Sequence, residues 1–184
     1  LELVEARHQK LVDRYVAGAI TEEAFLAKTG LRERHAFDIW PHFRPIFELA
    51  RDAKVPVVAL ERAHGGTLSQ RDAFWAKHVA GAIRANPGAI VLVLAGQLHV
   101  APPHLPKQVK KLVKHVDERP LRELVVYQNA DTVYWALERA GVEHETEAVR
   151  IGEAEYCLVN TPPPVVQQSF LDWVYRMTAD KSSK

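Results

Sequence analysis

Two short apolar runs constrain this chain most: Val55–Leu60 (VPVVAL) and Ala89–Ala95 (AIVLVLA), separated by one helical pattern. Each has the length of a buried strand and falls far short of the roughly twenty apolar residues of a membrane span. Continuous apolar runs alternating with amphipathic helices belong to parallel sheets covered on both faces. Pro56, near the start of the first run, is compatible with that placement. The second run continues through Ala89–Val100 (AIVLVLAGQLHV) and presents His99 where the strand ends.

The remaining segments fill in the alternation. The opening Leu1-Glu2-Leu3-Val4 has the character of a strand interior, so a preceding portion is expected, and any targeting signal with it. Leu11, Tyr15 and Val16 fall at helical spacing before Gly18. Thr21 with Glu22 and Glu23 reads as an N-cap and acidic first turn, opening a helix with Phe25 and Leu26 that ends near Gly30. Leu31–Pro45 is rich in aromatic and basic residues, including His35, Phe37, Trp40 and His42. Phe43–Ala53 puts Ile46, Leu49 and Ala50 on one helical face.

Thr67–Gln70 fits a capping box, and the helix behind it carries Trp75, Val79, Ala82 and Ile83 at core spacing before Asn86-Pro87-Gly88 turns the chain. Gln108–His115 reads as a basic amphipathic helix with Val109, Leu112 and Val113 inward. Leu121–Tyr127 is a strand and Asp131–Ala140 a helix, with Gly141 as its C-cap. Glu147–Ile151 and Tyr156–Val159 form a hairpin turning at Gly152, and Val165–Met177 a closing amphipathic helix carrying Phe170, Leu171, Trp173 and Val174. The predicted fold class is α/β: three-layer, a mainly parallel sheet with helices on both faces and a late antiparallel hairpin at one edge. With no repeat or linker, residues 1–184 read as one domain, residues 120–184 completing the sheet as an extension.

Composition removes several classes of function. The net charge of +1 with histidine neutral advertises no nucleic-acid or membrane surface. The basic run Lys107–Lys114 reads as the solvated face of its helix. A single cysteine, Cys157, allows no intrachain disulfide and no multi-cysteine metal site, and its apolar strand context argues against a thiol nucleophile. Gly65-Gly66 lacks the spacing and lysine of a phosphate loop, and neither His-Glu-x-x-His nor Gly-x-Ser-x-Gly occurs.

Ligands of open parallel sheets bind outside the carboxyl ends of the strands. That rule selects the loops after Leu3, Leu60 and Ala95, and with them Glu2 or Glu5, Glu61 and His64, and Gln97 and His99. Such carboxylates and imidazoles can ligate a metal, position a water or bind an anion. They can equally be solvated loop residues, and His99 a satisfied structural histidine. Gly96 would let the backbone turn sharply before His99. Asp72 suits a helix N-terminus, while Arg71 is either exposed or turned into the same crevice to pair with an acidic group.

These segments resemble, in order, those of ChaN-like proteins, the haem-binding uptake branch of the superfamily that includes Tiki proteases and erythromycin esterases. Leu1-Glu2-Leu3 with Leu11–Gly18 is similar to that family's "LEM … LLDxYLxG". Phe43–Ala50 resembles "YRPLLELA", Val55–Leu60 "LPVVAL", and Val91–His99 "VVLLAGxxH". Together with Arg71-Asp72 and its helix, the likeness spans residues 1 to about 105. It implies a three-layer fold with Glu2, Arg71, Asp72 and His99 at the family's shared pocket. The family's "GExH" motif would lie before Leu1.

The resemblance further implies a bacterial surface lipoprotein or periplasmic protein of iron uptake, binding haem at a homodimer interface. There a tyrosine ligates the iron and a histidine touches a propionate. The segment around Trp40 and His42 is then either a haem-facing surface or simple helix packing. Three readings follow. The first is a haem- or iron-related binding protein. The second is a metal-dependent hydrolase in which His99 and Glu2 hold a divalent metal or activate water. The third, a scaffold with a decayed pocket, predicts that Glu2, Arg71 and His99 do not converge.

Overall fold

In the computed structural model, residues 1–34, 38–116 and 119–179 are described. They divide into two compact units, Leu1–Leu121 and Arg122–Lys184. The protein is mixed α/β and mostly helical. His35 and Phe37 of the aromatic-basic segment lie outside the described residues, as do the side chains of Trp173 and Val174.

The first unit opens with a 3-10 turn at Ala6–His8, then α1 (Gln9–Val16), α2 (Glu22–Thr29), α3 (Leu31–Arg34), α4 (Trp40–Asp52) and α5 (Leu68–Ala85). α6 (Gln97–Val100), α7 (Leu105–Leu112) and a ribbon of β1 (His115–Val116) and β2 (Arg119–Pro120) complete it. The local signals act as expected. The Thr21 hydroxyl accepts the Ala24 N–H at 3.3 Å, and Gly30 ends α2 at φ 62°. Thr67 and Gln70 close a reciprocal capping box on α5.

Helix boundaries shift where proline tolerates a first turn. α4 starts at Trp40 rather than Phe43, and α7 at Leu105 rather than Gln108, each with Pro among its first two residues. Those earlier starts go with different inward faces. α4 buries Trp40, Phe47 and Ala50 while Leu49 is 68% exposed, and in α7 Leu112 faces outward while Val109 is buried.

The expected strands of this unit are corrected in part. Val55–Leu60 and Ala89–Ala95 are extended but form no regular ladder. The Leu1 amino group donates to Val58 O at 2.8 Å, Leu60 N–H to Leu1 O at 3.0 Å, and Glu2 N–H to Leu94 O at 3.1 Å. Glu5 and Glu61 form an isolated parallel bridge. The opening segment thus lies between the two runs. It turns and enters the 3-10 helix by Ala6, so it supplies too few consecutive bonds for a strand.

Two apolar clusters pack the unit. Tyr15, Phe25, Trp40 and Phe47 gather with Val4, Val12 and Ala59, the Tyr15 and Phe25 rings stacked at 4.6 Å and 9°. Full burial of each such aromatic is worth about 2–3 kcal/mol. Trp75, Val79, Ile83, Leu105 and Val109 form the second cluster with Leu60, and Val91, Val93 and Ala95 lie against it.

The second unit holds the only regular sheet of more than two strands among the described residues. β3 (Val125–Gln128), β4 (Ala148–Arg150) and β5 (Glu155–Leu158) lie in the order β3-β5-β4, with α8 (Asp131–Ala140) following β3. β5 is parallel to β3 and antiparallel to β4, where Val149 faces Cys157. The hairpin expected at the edge of a larger sheet therefore supplies two of the three strands of a small mixed one. Cys157 is fully buried beside Tyr134 and Val159. α9 (Pro163–Ala179) closes the unit, with Phe170 60% and Leu171 47% exposed.

Candidate functional site

Glu2 in the opening segment, the loop after Leu60, the first turn of α5 and the residues after Ala95 bring their polar groups to one place. Arg71 is the hub. Its Nη2 donates to Glu2 Oε1 at 2.7 Å and to Glu61 Oε2 at 2.5 Å, and its Nε to Glu61 Oε1 at 3.3 Å. Its guanidinium carbon stands 4.8 Å from the centre of the Trp75 ring, one turn along α5. Burial pulls the Arg71 pKa down, but the bonds and charges of Glu61 and Glu2 outweigh it and leave the value raised.

Asp72, the next residue, is 1% exposed. Its Oδ1 lies 2.6 Å from His99 Nδ1, and its Oδ2 lies 3.3 Å from His104 Nδ1. A carboxylate at that distance accepts from a proton-bearing nitrogen, which places a proton on His99 Nδ1. His99 Nε2 stands 4.0 Å from Glu2 Oε1, and its ring packs on Trp75 at 4.1 Å between centroids. The backbone N–H of Gly96 donates to Glu2 Oε2 at 2.6 Å.

Glu2, Glu61, Arg71, Asp72, Gly96 and His99 are thus adjacent, unlike in a decayed pocket. His64 is elsewhere: it is exposed in a left-handed conformation, φ 67°, in the loop after Glu61. Glu5 pairs with Arg7 at 2.5 Å. Gly96 has φ −60° and ψ 150°, so it makes no left-handed turn, and what it contributes is its N–H. Trp40 is buried in the first apolar cluster while His42 is exposed, which favours helix packing for that segment.

Two members lie beyond the sequence expectations. Trp75, expected at core spacing, is also the platform under both Arg71 and His99. Its sequence signal is its position four residues after Arg71, one helical turn on. His104 has a weaker one, a second histidine five residues after His99 across the Pro102-Pro103 turn.

Chemically the cluster offers one oriented imidazole nitrogen, a guanidinium engaged by two carboxylates, and a buried carboxylate between two histidines. Among the described residues no group of three or more His, Cys, Asp or Glu side chains is arranged to hold a metal ion.

Residues 1–64 match the family model described as haem-binding uptake, Tiki superfamily, ChaN. That stretch contains Glu2, Glu61 and His64. No curated protein and no solved structure gives a significant match.

Proposed function

With the match of residues 1–64 to the ChaN haem-binding uptake family as premise, we propose that this chain is a haem- or iron-related binding protein of bacterial uptake. In this reading it works as a homodimer, as a membrane-anchored lipoprotein or in the periplasm, and haem is its cargo. The family match carries the reading. Among the described residues no helix is long and apolar enough to cross a membrane. The proposal includes a three-layer core in which residues 1–5 lie between the runs at 55–61 and 89–95. The hydrogen bonds of Leu1 to Val58 and of Glu2 to Leu94 support it.

The polar cluster does not fit the porphyrin. Arg71 is held by two carboxylates and is not available to a propionate, and His99 is 4% exposed, too enclosed to reach an iron in a flat macrocycle. The row Ile90, Leu92 and Leu94 fits an apolar ring better. These residues are 97%, 78% and 36% exposed, and alternate positions of an extended segment span about 13 Å from first to last. A haem titration of the full-length protein tests the reading. A Soret shift at micromolar haem is expected, weakened by Leu92→Glu and retained in His99→Ala. No shift overturns it, and loss only in His99→Ala would move the ligand to the cluster.

One observation favours a second reading, a hydrolase of the wider superfamily. A buried aspartate fixing a histidine tautomer is how a general base is oriented. Here His99 Nε2 would take the proton of an attacking water, Asp72 would stabilise the resulting imidazolium, and Arg71 would hold Glu2 in place. Ester and peptide substrates should then be cleaved by the wild type and not by His99→Ala. Equal rates in both would remove this reading.

A further inference from the structure

Asp72 has a histidine nitrogen at each oxygen, a hydrogen bond to His99 and a longer ion-pair contact to His104, and this second partner reaches solvent. His104 sits between the Pro102-Pro103 turn and α7, with its side chain 36% exposed and its Nδ1 3.3 Å from Asp72 Oδ2. His99, on Oδ1 at 2.6 Å, is 4% exposed. The three side chains therefore run from the surface at His104, through the buried carboxylate, to His99 and its Nε2 beside Glu2. A carboxylate held at one oxygen can swing about its terminal torsion, which is broad for aspartate. With the His104 nitrogen against the second oxygen, that swing is opposed and the first oxygen stays aimed at His99. Of the remaining charged groups at the cluster, Arg71 binds both Glu2 and Glu61.

We propose that His104 is a positioning residue of this site: its contact with Asp72 Oδ2 steadies that carboxylate so that His99 keeps its proton on Nδ1 and its Nε2 edge toward Glu2. Such outer partners fix the tautomer and orientation of functional histidines. The inference rests on the second reading above, in which the cluster is a reaction site.

Long-range proton–nitrogen correlation spectra of the 15N-labelled full chain at neutral pH test it without any ligand. In the wild type His99 is expected as the single Nδ1–H tautomer, and His104 with a proton on Nδ1. His104→Asn, whose amide N–H can stand where Nδ1 stood, should keep the His99 pattern. His104→Leu should lose it, giving a mixture of tautomers, with circular dichroism reporting that the chain is folded. A bare Nδ1 on His104 in the wild type overturns the proposal even if both variants fail to fold. So does an unchanged His99 pattern in folded His104→Leu. A failed haem titration beside the expected tautomer pattern would remove only the haem reading.

Discussion

The backbone N–H of Gly96 donates to Oε2 of Glu2 at 2.6 Å, joining positions 94 residues apart in the chain. The bond holds the carboxylate that Arg71 then grips from the other side, so it sets where Glu2 stands relative to His99. Gly96 lies at φ −60°, and a Cβ there would meet Glu2 Oε2 at an ordinary 3.5 Å. Alanine is therefore expected to be tolerated, within about 0.5 kcal/mol. Proline also fits that φ but removes the donor. Gly96→Pro should lose about 1 kcal/mol in urea unfolding, the hydrogen bond to a charged acceptor being partly offset by a stiffer unfolded chain. Equal stability of the two variants would mean that the N–H contributes nothing.

Arg71 is the one guanidinium shared by Glu2 and Glu61, and all three side chains are less than one-third exposed. Removing it leaves two carboxylates facing one another. Arg71→Met is expected to cost about 1–2 kcal/mol, below the range for fully buried pairs because solvent still screens the site. Glu61→Gln in the same background should restore part of that loss, since one of the facing charges is gone. Arg71→Lys should fall between, because an ammonium cannot reproduce the fork that reaches both acids. A double variant no more stable than Arg71→Met would show that the carboxylates do not repel in this setting.

The sequence made the punctuation of this fold legible and its pairing much less so. Thr21, Thr67, Gly30 and Gly141 mark helix ends through short-range hydrogen bonds and backbone geometry, and each acts where expected. Strand formation at Val55–Leu60 and Ala89–Ala95 depends on a neighbour that no local pattern specifies, and the opening segment supplies bonds only near its turn. Inward faces failed for a related reason. Leu49 and Phe47 both suit a buried helix position, and the aromatic cluster with Tyr15 and Phe25 selects Phe47. At the site, the strand-end rule located Glu2, Glu61 and His99, whereas Trp75 and His104 belong through contacts across the fold.

Tyr15 gives a pH signature. Burial pushes its phenol above the ordinary value near 10, the Glu22 charge adds to this and Arg51 opposes it. A raised folded-state pKa means the native state holds the proton longer than the unfolded chain. The stabilisation is complete below the unfolded value and is lost as pH rises through the folded one. Tyr15→Phe should remove one late-ionising phenol from the alkaline absorbance titration, leaving Tyr127, which burial and Glu155 also raise. Wild-type stability should fall relative to Tyr15→Phe above about pH 10. Parallel stability curves across that range would contradict the assignment.

The alternation along Ala89–Ala95 makes an opposite pair of predictions for neighbouring residues. Val91, Val93 and Ala95 lie against the Trp75 cluster, while Ile90 and Leu92 are 97% and 78% exposed. Successive residues of an extended chain point to opposite sides, so a slip of one residue would exchange the two sets. Val93→Ala should lose about 1 kcal/mol through removed packing, and Leu92→Ala less than about 0.5 kcal/mol. Thermal or urea unfolding of the two single variants is enough to decide. A larger loss at Leu92 than at Val93 would place the apolar row inside, and with it remove the surface on which the haem reading depends.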